Sequence, residues 1–330
     1  MPFFKACALI FGDHFVIKLS QVTINGNRIT SMDFLNRHIS DFHLSYWETM
    51  IDDWFFVFAL AFLAFELIRY AVVKKLNWTM VGDTVTNFIT LAFFFGISFI
   101  LLASFYIGAY VWASQYAVFD IPTMWASFII VLILADLAYY WEHRILHRIN
   151  FLWATHSVHH SSPFFNISVA YRHGPLDGLW PLFFHLPLVL LGFNPFMVLI
   201  VELLVQLYQT ALHTEVIKKL WRPIEYIFNT PSHHRVHHGS NPKYLDKNYA
   251  GILIIWDRMF GTFEEEKEEV VYGLVKPIDS VNPFVAFLHG FARLFKDVWN
   301  MPGFGNKLGV FFGPPGWQPK NARKQREPAE

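Results

Sequence analysis

The sequence predicts an all-α integral membrane protein, a helical bundle of transmembrane spans carrying a histidine-rich cap on its cytoplasmic side. Three observations carry that reading. Apolar residues make up 54% of the 330 residues and charged residues only 16%, against about 25% charged in a soluble domain whose surface must be wetted. Apolar stretches of the length needed to cross the hydrocarbon core, about 20 residues, recur along the chain. Most of the sixteen histidines fall between His143 and His238. The formal net charge is zero, which leaves no basic patch for nucleic acid and excludes it as a partner. The single cysteine, Cys7, excludes a disulfide framework and any thiolate-rich metal site.

The apolar stretches place five spans, at about 54–73, 87–112, 122–141, 179–191 and 195–212. The first has Glu66 and Arg69 one turn apart, which reads as a pair, with Lys74 and Lys75 directly behind. The second holds no charge, and the third is interrupted only by Asp136. Residues 179–212 are too long for one crossing and break at Gly192-Phe193-Asn194-Pro195, which reads as a hairpin tip. Lysine and arginine are absent from the two far-side turns, 113–121 and 192–194, and gather after the first and third spans and beyond 213. By the positive-inside rule those segments are cytoplasmic.

Residues 1–50 then form an N-terminal segment on the opposite face, without a cleavable signal peptide. Residues 51–300 form a single membrane-embedded domain. Residues 301–330 form a C-terminal loop and polar tail, disordered from 318 onward. Within the domain, residues 283–298 alternate apolar and basic groups at helical spacing, as a surface helix lying on the membrane does.

The histidines form three groups: His143-x-x-x-His147, His156-x-x-His159-His160 and His234-x-x-His237-His238. On a helix, positions i and i+4 lie on one face, one turn apart, so two imidazoles meet one ion, and a neighbour at i+3 widens the fan. No glycine or proline interrupts residues 123–162, and the third group starts after Thr230-Pro231 and stops at Gly239, which are helix start and stop signals. One such group is often coincidence. Three at the mouths of spans on one face are a metal site, because dense imidazoles beside hydrocarbon have little structural use. Eight donors exceed one closed structural zinc and point to two metals with open positions.

HExxH is absent, which removes the zinc-peptidase arrangement. Two iron ions, Fe2+/Fe3+, that activate O2 fit best. An open metal facing a bilayer meets an alkyl chain, and breaking its C–H bond is beyond side chains alone.

At this point the motifs resemble a known family. The order HxxxH, HxxHH, HxxHH is similar to the fatty acid hydroxylase/sterol desaturase superfamily of membrane di-iron oxygenases. The stretch Asn229–Gly239 with 246–263, Val271-Tyr-Gly-Leu274, Pro302-Gly-Phe304 and Gly313-Pro-Pro-Gly-Trp317 resembles its alkylglycerol monooxygenase branch and the bacterial relatives of that branch. The resemblance implies an oxidoreductase that hydroxylates a lipid at the carbon next to an ether oxygen, with tetrahydrobiopterin as reductant. It also implies the ligands His143, His147, His156, His159, His160, His234, His237 and His238, with His213 as a ninth.

Three further residues read as supports for the ligands. Asp136 lies two turns before His143 on the same helix face, where it reads as a hydrogen-bond partner near the metals, a substrate contact or a polar contact between helices; His233 abuts the third group but points elsewhere, and His173 matches the broader sterol desaturase pattern. Two positions depart from the closer relatives: Arg148 stands where they carry an acid, and Glu142 where a small residue is expected.

A rival within the enzymes is a sterol or fatty acyl desaturase or hydroxylase fed by an electron-donor protein. A rival of another class is a membrane metal carrier, which the charge-free second span disfavours. The partners expected are a lipid substrate, O2 and the bilayer. The place is the inner membrane of a bacterium or the endoplasmic reticulum of a eukaryote.

Overall fold

The structure, a computed structural model, describes residues 22–24, 27–29, 44–101 and 103–319, with side chains over 54–97 and 105–319. Residues 1–65 and 66–330 form two compact units. The first holds β1 (Val22–Ile24) and β2 (Asn27–Ile29), an antiparallel pair with Ile24 opposite Asn27, which the all-helical expectation did not include. Most of segment 1–50 and the tail beyond 319 lie outside the described residues.

Helices follow: α1 (Leu44–Val72), α2 (Trp78–Leu101), α3 (Ala103–Ser114), α4 (Trp125–Arg148), α5 (Asn150–His156), α6 (Trp180–Leu191) and α7 (Pro195–Leu212). After these come α8 (Arg222–Ile227), α9 (Pro231–His237), α10 (Ile255–Phe260), α11 (Pro283–Asn300) and α12 (Phe304–Phe312).

Among the described residues, four segments are long and apolar enough to cross a membrane: Trp54–Val72, Trp78–Ile97, Trp125–Arg148 and Pro195–Leu212. Their outer faces carry the apolar groups that water would reject, such as Trp125, Ile129, Ile130 and Ile133 on α4. The second crossing starts at Trp78, well before the expected 87, and the expected stretch to 112 is divided between α2 and α3. Asp83, Thr86, Asn87 and Thr90 lower the hydropathy of α2, yet all four are buried against polar partners. The third crossing also runs on, through His143 and His147 to Arg148. The expected span 179–191 is α6, whose 12 residues reach only about 18 Å at 1.5 Å per residue. That is short of the ~30 Å hydrocarbon thickness, and α6 packs on α4.

The hairpin tip stands where the sequence put it. Gly192 closes α6 with φ 115°, a left-handed value that favours glycine, and a Cβ there would collide with the Phe119 carbonyl. Asn194 then caps α7 by accepting from the Phe196 N–H at 2.9 Å, with Pro195 in the first turn. Inside the bundle α4 packs against α6 and α7, around Val131, Ala135, Val189, Val198, Val201 and Val205.

The C-terminal segment expected as loop and tail, 301–330, contains α12, which packs on α5. Phe311 stacks on Phe151 at 4.7 Å, and Asn150 donates from its amide to the Val310 carbonyl at 2.9 Å. The surface helix expected over 283–298 is α11. Its Ala286, Phe287, Gly290 and Leu294 face the protein, while Phe284, Leu288, Phe295 and Trp299 lie along an exposed apolar stripe.

Candidate metal centre

The histidine groups occupy short elements beyond or at the end of the long helices. His143 and His147 sit in the last two turns of α4. The second group is not one regular helix: His156 ends α5, a turn follows, and His159 and His160 open a 3-10 turn at His159–Ser161. The third group is α9 with His238 as its C-cap, after Pro231 as the sequence signals. His213 is the C-cap of α7.

These elements bring all nine together, in two groups whose ring nitrogens lie within 4.8 Å of one another. One is His143, His147, His156, His160 and His237, and the other is His159, His213, His234 and His238. Each HxxHH motif is shared between them. In the second motif the i and i+4 histidines join the first group and the i+3 histidine the other. In the third motif this is reversed. Each of the nine exposes less than a tenth of its surface.

Nitrogens from different elements nearly touch: Nε2 to Nε2 is 3.0 Å for His143–His156, 3.1 Å for His160–His237, 3.2 Å for His159–His213 and 3.0 Å for His213–His234. The opposite nitrogens are anchored. Nδ1 of His143 lies 2.9 Å from the Tyr249 carbonyl, Nδ1 of His213 2.8 Å from that of Gln209, and Nδ1 of His237 3.0 Å from that of Lys247. A carbonyl only accepts, so in each ring Nδ1 holds the proton and Nε2 keeps its lone pair pointed at the cluster. Buried Nε2 of His147 and of His238 has no hydrogen-bond partner.

Burial, and then the neighbouring imidazoles, holds His159, His160, His234 and His238 well below the ordinary value of 6.5. Burial brings His213 down to about 3. Buried imidazoles in two adjoining sets of five and four, with the Nε2 lone pairs of His143, His213 and His237 turned inward, are the donor set that a pair of metal ions takes.

The supports differ in part from expectation. Asp136 touches no histidine; it accepts from the Ile252 and Leu253 N–H groups at 2.5 and 2.9 Å and from the Trp256 indole at 2.8 Å. It thereby ties α4 to the loop whose Tyr249 carbonyl holds His143. His173 reaches the centre through Asp177, which lies 3.1 Å from His173 and 3.9 Å from Nδ1 of His156. His233 faces away, toward Glu225 at 3.0 Å. Glu66 turns to Thr214 at 2.6 Å and to the Ile167 N–H at 2.9 Å, rather than pairing with Arg69 as expected.

Sequence reasoning missed Asp177 and Asp246. Burial works to raise the Asp177 carboxyl, but the imidazoles of His156 and His173 outweigh it and bring it to about 2. Asp246 lies 3.7 Å from Nδ1 of His147 and 3.6 Å from Arg148. No spacing rule points to either residue. The departures fall outside the cluster: Arg148 serves Asp246, and Glu142 lies 3.9 Å from His185.

The pH dependence follows from these shifts. A histidine whose pKa is lowered by folding is protonated more readily in the unfolded chain, so stability falls as pH drops below about 6.5, for His213 down to about 3. Asp177, depressed on folding, adds its own loss between 3.8 and about 2. The metal-free protein is expected to unfold at progressively lower temperature from pH 6.5 downward, each fully shifted group costing up to about 1.4 kcal/mol per pH unit. A melting temperature that is flat between pH 6.5 and 4 contradicts the buried neutral cluster.

Residues 128–262 match the fatty acid hydroxylase family. The chain is 46% identical over 220 residues to human alkylglycerol monooxygenase, covering 65% of this chain and 48% of that one. It is 44% identical over 229 residues to the alkylglycerol monooxygenase of Xenopus tropicalis, with the same coverage. A bacterial relative, the ornithine lipid hydroxylase OlsE of Rhizobium tropici, is 30% identical over 146 residues, 43% of this chain and 44% of that one. The chain spans about half the length of the curated relatives it matches. No solved structure matches it. With its three histidine groups converging inside the matched region and beside the ends of apolar helices, the chain resembles the fatty acid hydroxylase family over residues 128–262 and is similar to the alkylglycerol monooxygenases.

Proposed function

We propose that this chain is a membrane di-iron monooxygenase that hydroxylates a lipid C–H bond with O2, of the ether-lipid-cleaving type. The observation that carries the reading is the convergence of nine buried imidazoles into two adjoining groups beside the ends of membrane-length helices. His143, His147, His156, His160 and His237 would hold one iron, and His159, His213, His234 and His238 the other. Imidazole donors suit iron, and bound there the irons would supply the O2 activation that side chains lack.

The chain's own residues do the rest. Asp177, Asp246 and the carbonyls of Gln209, Lys247 and Tyr249 orient the rings. The burial of the cluster keeps water out, and the apolar bundle holds the alkyl chain below it. The relatives named above act on alkylglycerols and on ornithine lipids, which supports a lipid as substrate. Tetrahydrobiopterin as reductant follows from the likeness to the alkylglycerol enzymes. The grouping of lysine and arginine supports a cytoplasmic position for the histidine cap, on the inner membrane or the endoplasmic reticulum.

The purified protein is expected to retain about two irons per chain, since nine donors are more than one ion accepts. With O2 and a reduced pterin, it is expected to add one oxygen atom to an alkyl ether lipid in preference to a sterol or a fatty acid. A content near one metal, or no O2-dependent product from any of the three, sinks the proposal. A sterol or fatty acyl product with an electron-donor protein selects the rival enzyme.

A further inference from the structure

Beside the four-histidine group lies a cavity of about 270 Å3, lined among others by Tyr70, Lys75, Phe165, Glu215 and Tyr272. Phe165 forms its boundary with the metal centre. That ring stacks on His213 at 5.5 Å and 27°, lies 5.2 Å from His238, and stacks on Tyr272 at 4.9 Å and 8°. A ladder of π faces therefore runs from the cavity to the histidines. The segment carrying Tyr272 is pinned to the end of the third histidine group: Gly239 bridges to Tyr272, and the Ser240 N–H donates to the Val271 carbonyl at 2.7 Å.

The polar groups of the cavity converge on one carboxylate. The Tyr70 hydroxyl donates to Oε2 of Glu215 at 2.8 Å and the Tyr272 hydroxyl to Oε1 at 3.3 Å. Each carboxylate oxygen has two lone pairs, so each keeps an acceptor direction after those bonds. Glu215 can thus accept two neighbouring donors from one ligand, the arrangement in which a carboxylate binds most specifically. Exposed Lys75 stands at the opening. The volume lies at or below the small end of ligand sites, about 300–1,000 Å3, so a ring system of one or two rings fits and a nucleotide-bearing flavin does not.

We infer that this cavity is the site of a small planar organic reductant that presents two neighbouring hydrogen-bond donors to Glu215 and lies against Tyr272 and Phe165. The inference deepens the monooxygenase reading and rests on it, because that reaction needs such a donor. Insertion of one oxygen atom into R–H takes two electrons from the C–H bond. The other oxygen leaves as water only if a donor DH2 gives two electrons and two protons: R–H + O2 + DH2 → R–OH + H2O + D. Phe165 and Tyr272 would hold such a donor beside the His213 side of the cluster, where it would supply the two electrons.

Binding is measured calorimetrically, without O2, on the full chain in lipid nanodiscs, with and without iron. The probes are a reduced pterin without a long side chain, ascorbate, and reduced flavin mononucleotide. The pterin and ascorbate share neighbouring donors, and only the pterin offers an aromatic-sized face. The reduced pterin is expected to bind at one site per chain, ascorbate at least tenfold more weakly, and the flavin not at all. Glu215→Gln and Tyr272→Leu are each expected to weaken pterin binding at least tenfold while the iron content stays unchanged. Tyr272→Phe, which keeps the ring, is expected to weaken it less than Tyr272→Leu.

Binding that both Glu215→Gln and Tyr272→Leu leave unaltered, preference for the flavin, or no binding of any probe overturns the inference. Because binding is read without turnover, a protein that binds the pterin here but hydroxylates no lipid would sink the function and not the site.

Discussion

Removing His159 is expected to strip one metal from the protein, whereas removing His160, its neighbour in the chain, is expected to leave both in place with one held less tightly. The two side chains are adjacent in sequence but feed different groups: His159 belongs to the set of four and His160 to the set of five. His159→Ala leaves three imidazoles around one ion, and His160→Ala still leaves four. A four-ligand site of order 10–16 kcal/mol in binding free energy loses roughly a quarter of it with each ligand. That is about 3 kcal/mol, or on the order of a hundredfold in affinity. Dialysis of each variant against a chelator, followed by metal analysis, separates the two results. The same asymmetry is expected in the third motif with the signs exchanged: His234→Ala or His238→Ala costs a metal, and His237→Ala does not. Equal losses from His159→Ala and His160→Ala would mean that the nine histidines form one undivided site. If the monooxygenase proposal holds, turnover of an O2-dependent lipid product is expected to fall in either variant by more than the affinity, because both ions would serve one reaction.

That asymmetry was not legible in the spacing, although the convergence of the histidine groups was. The motif HxxHH gives three rings on neighbouring faces, but which ring meets which partner depends on the approach of α4, α7 and α9. That approach is fixed by packing and not by local pattern. The hairpin tip at 192–195 and the start of α9 at Pro231 were legible, since a glycine at φ 115° and a proline in a first turn act within a few residues. The start of α2 was not. A hydropathy window counts Asp83 and Asn87 against a span, yet both face inward to Arg172 at 2.9 and 2.8 Å. For α12 the glycines at 303, 305, 309 and 313 suggest a loop, and the helix stands because the Trp317 ring lies over Gly309 and Gly313 and Phe311 stacks on Phe151. Asp136 was recognisable as a costly residue on the histidine face of its helix. Its partners, at 252, 253 and 256, lie too far along the chain for any local rule to find.

Arg172→Ala is expected to be among the most damaging single changes outside the histidines. Arg172 is fully buried and linked to two segments at once. Its Nε donates to the Val158 carbonyl at 3.1 Å and to the Ser161 hydroxyl at 2.9 Å, and its Nη1 donates to Asp83 and Asn87 on α2. Val158 and Ser161 bracket His159 and His160, so one guanidinium fixes the backbone on both sides of the pair that serves both metal groups. Asp83 also accepts from Ser162 at 2.6 Å. Truncating Arg172 leaves the Asp83 carboxylate buried without its cation, a change that costs about 3–5 kcal/mol. Unfolding of the variant in detergent would register that loss.

Positioning separates from stability in the double variant Asp83→Leu with Arg172→Met. Replacing both charges by apolar groups recovers much of the stability, as buried pairs generally allow. It does not restore the donors to Val158 and Ser161, so the rings of His159 and His160 remain free to shift. The double variant is therefore expected to melt near the parent protein and still bind both metals on the order of ten- to a hundredfold more weakly, the range typical of lost outer partners of metal ligands. If metal affinity returns together with stability, Arg172 is only a fold contact. If Arg172→Ala alone melts like the parent and keeps both metals, the bracket around the second histidine group carries no weight.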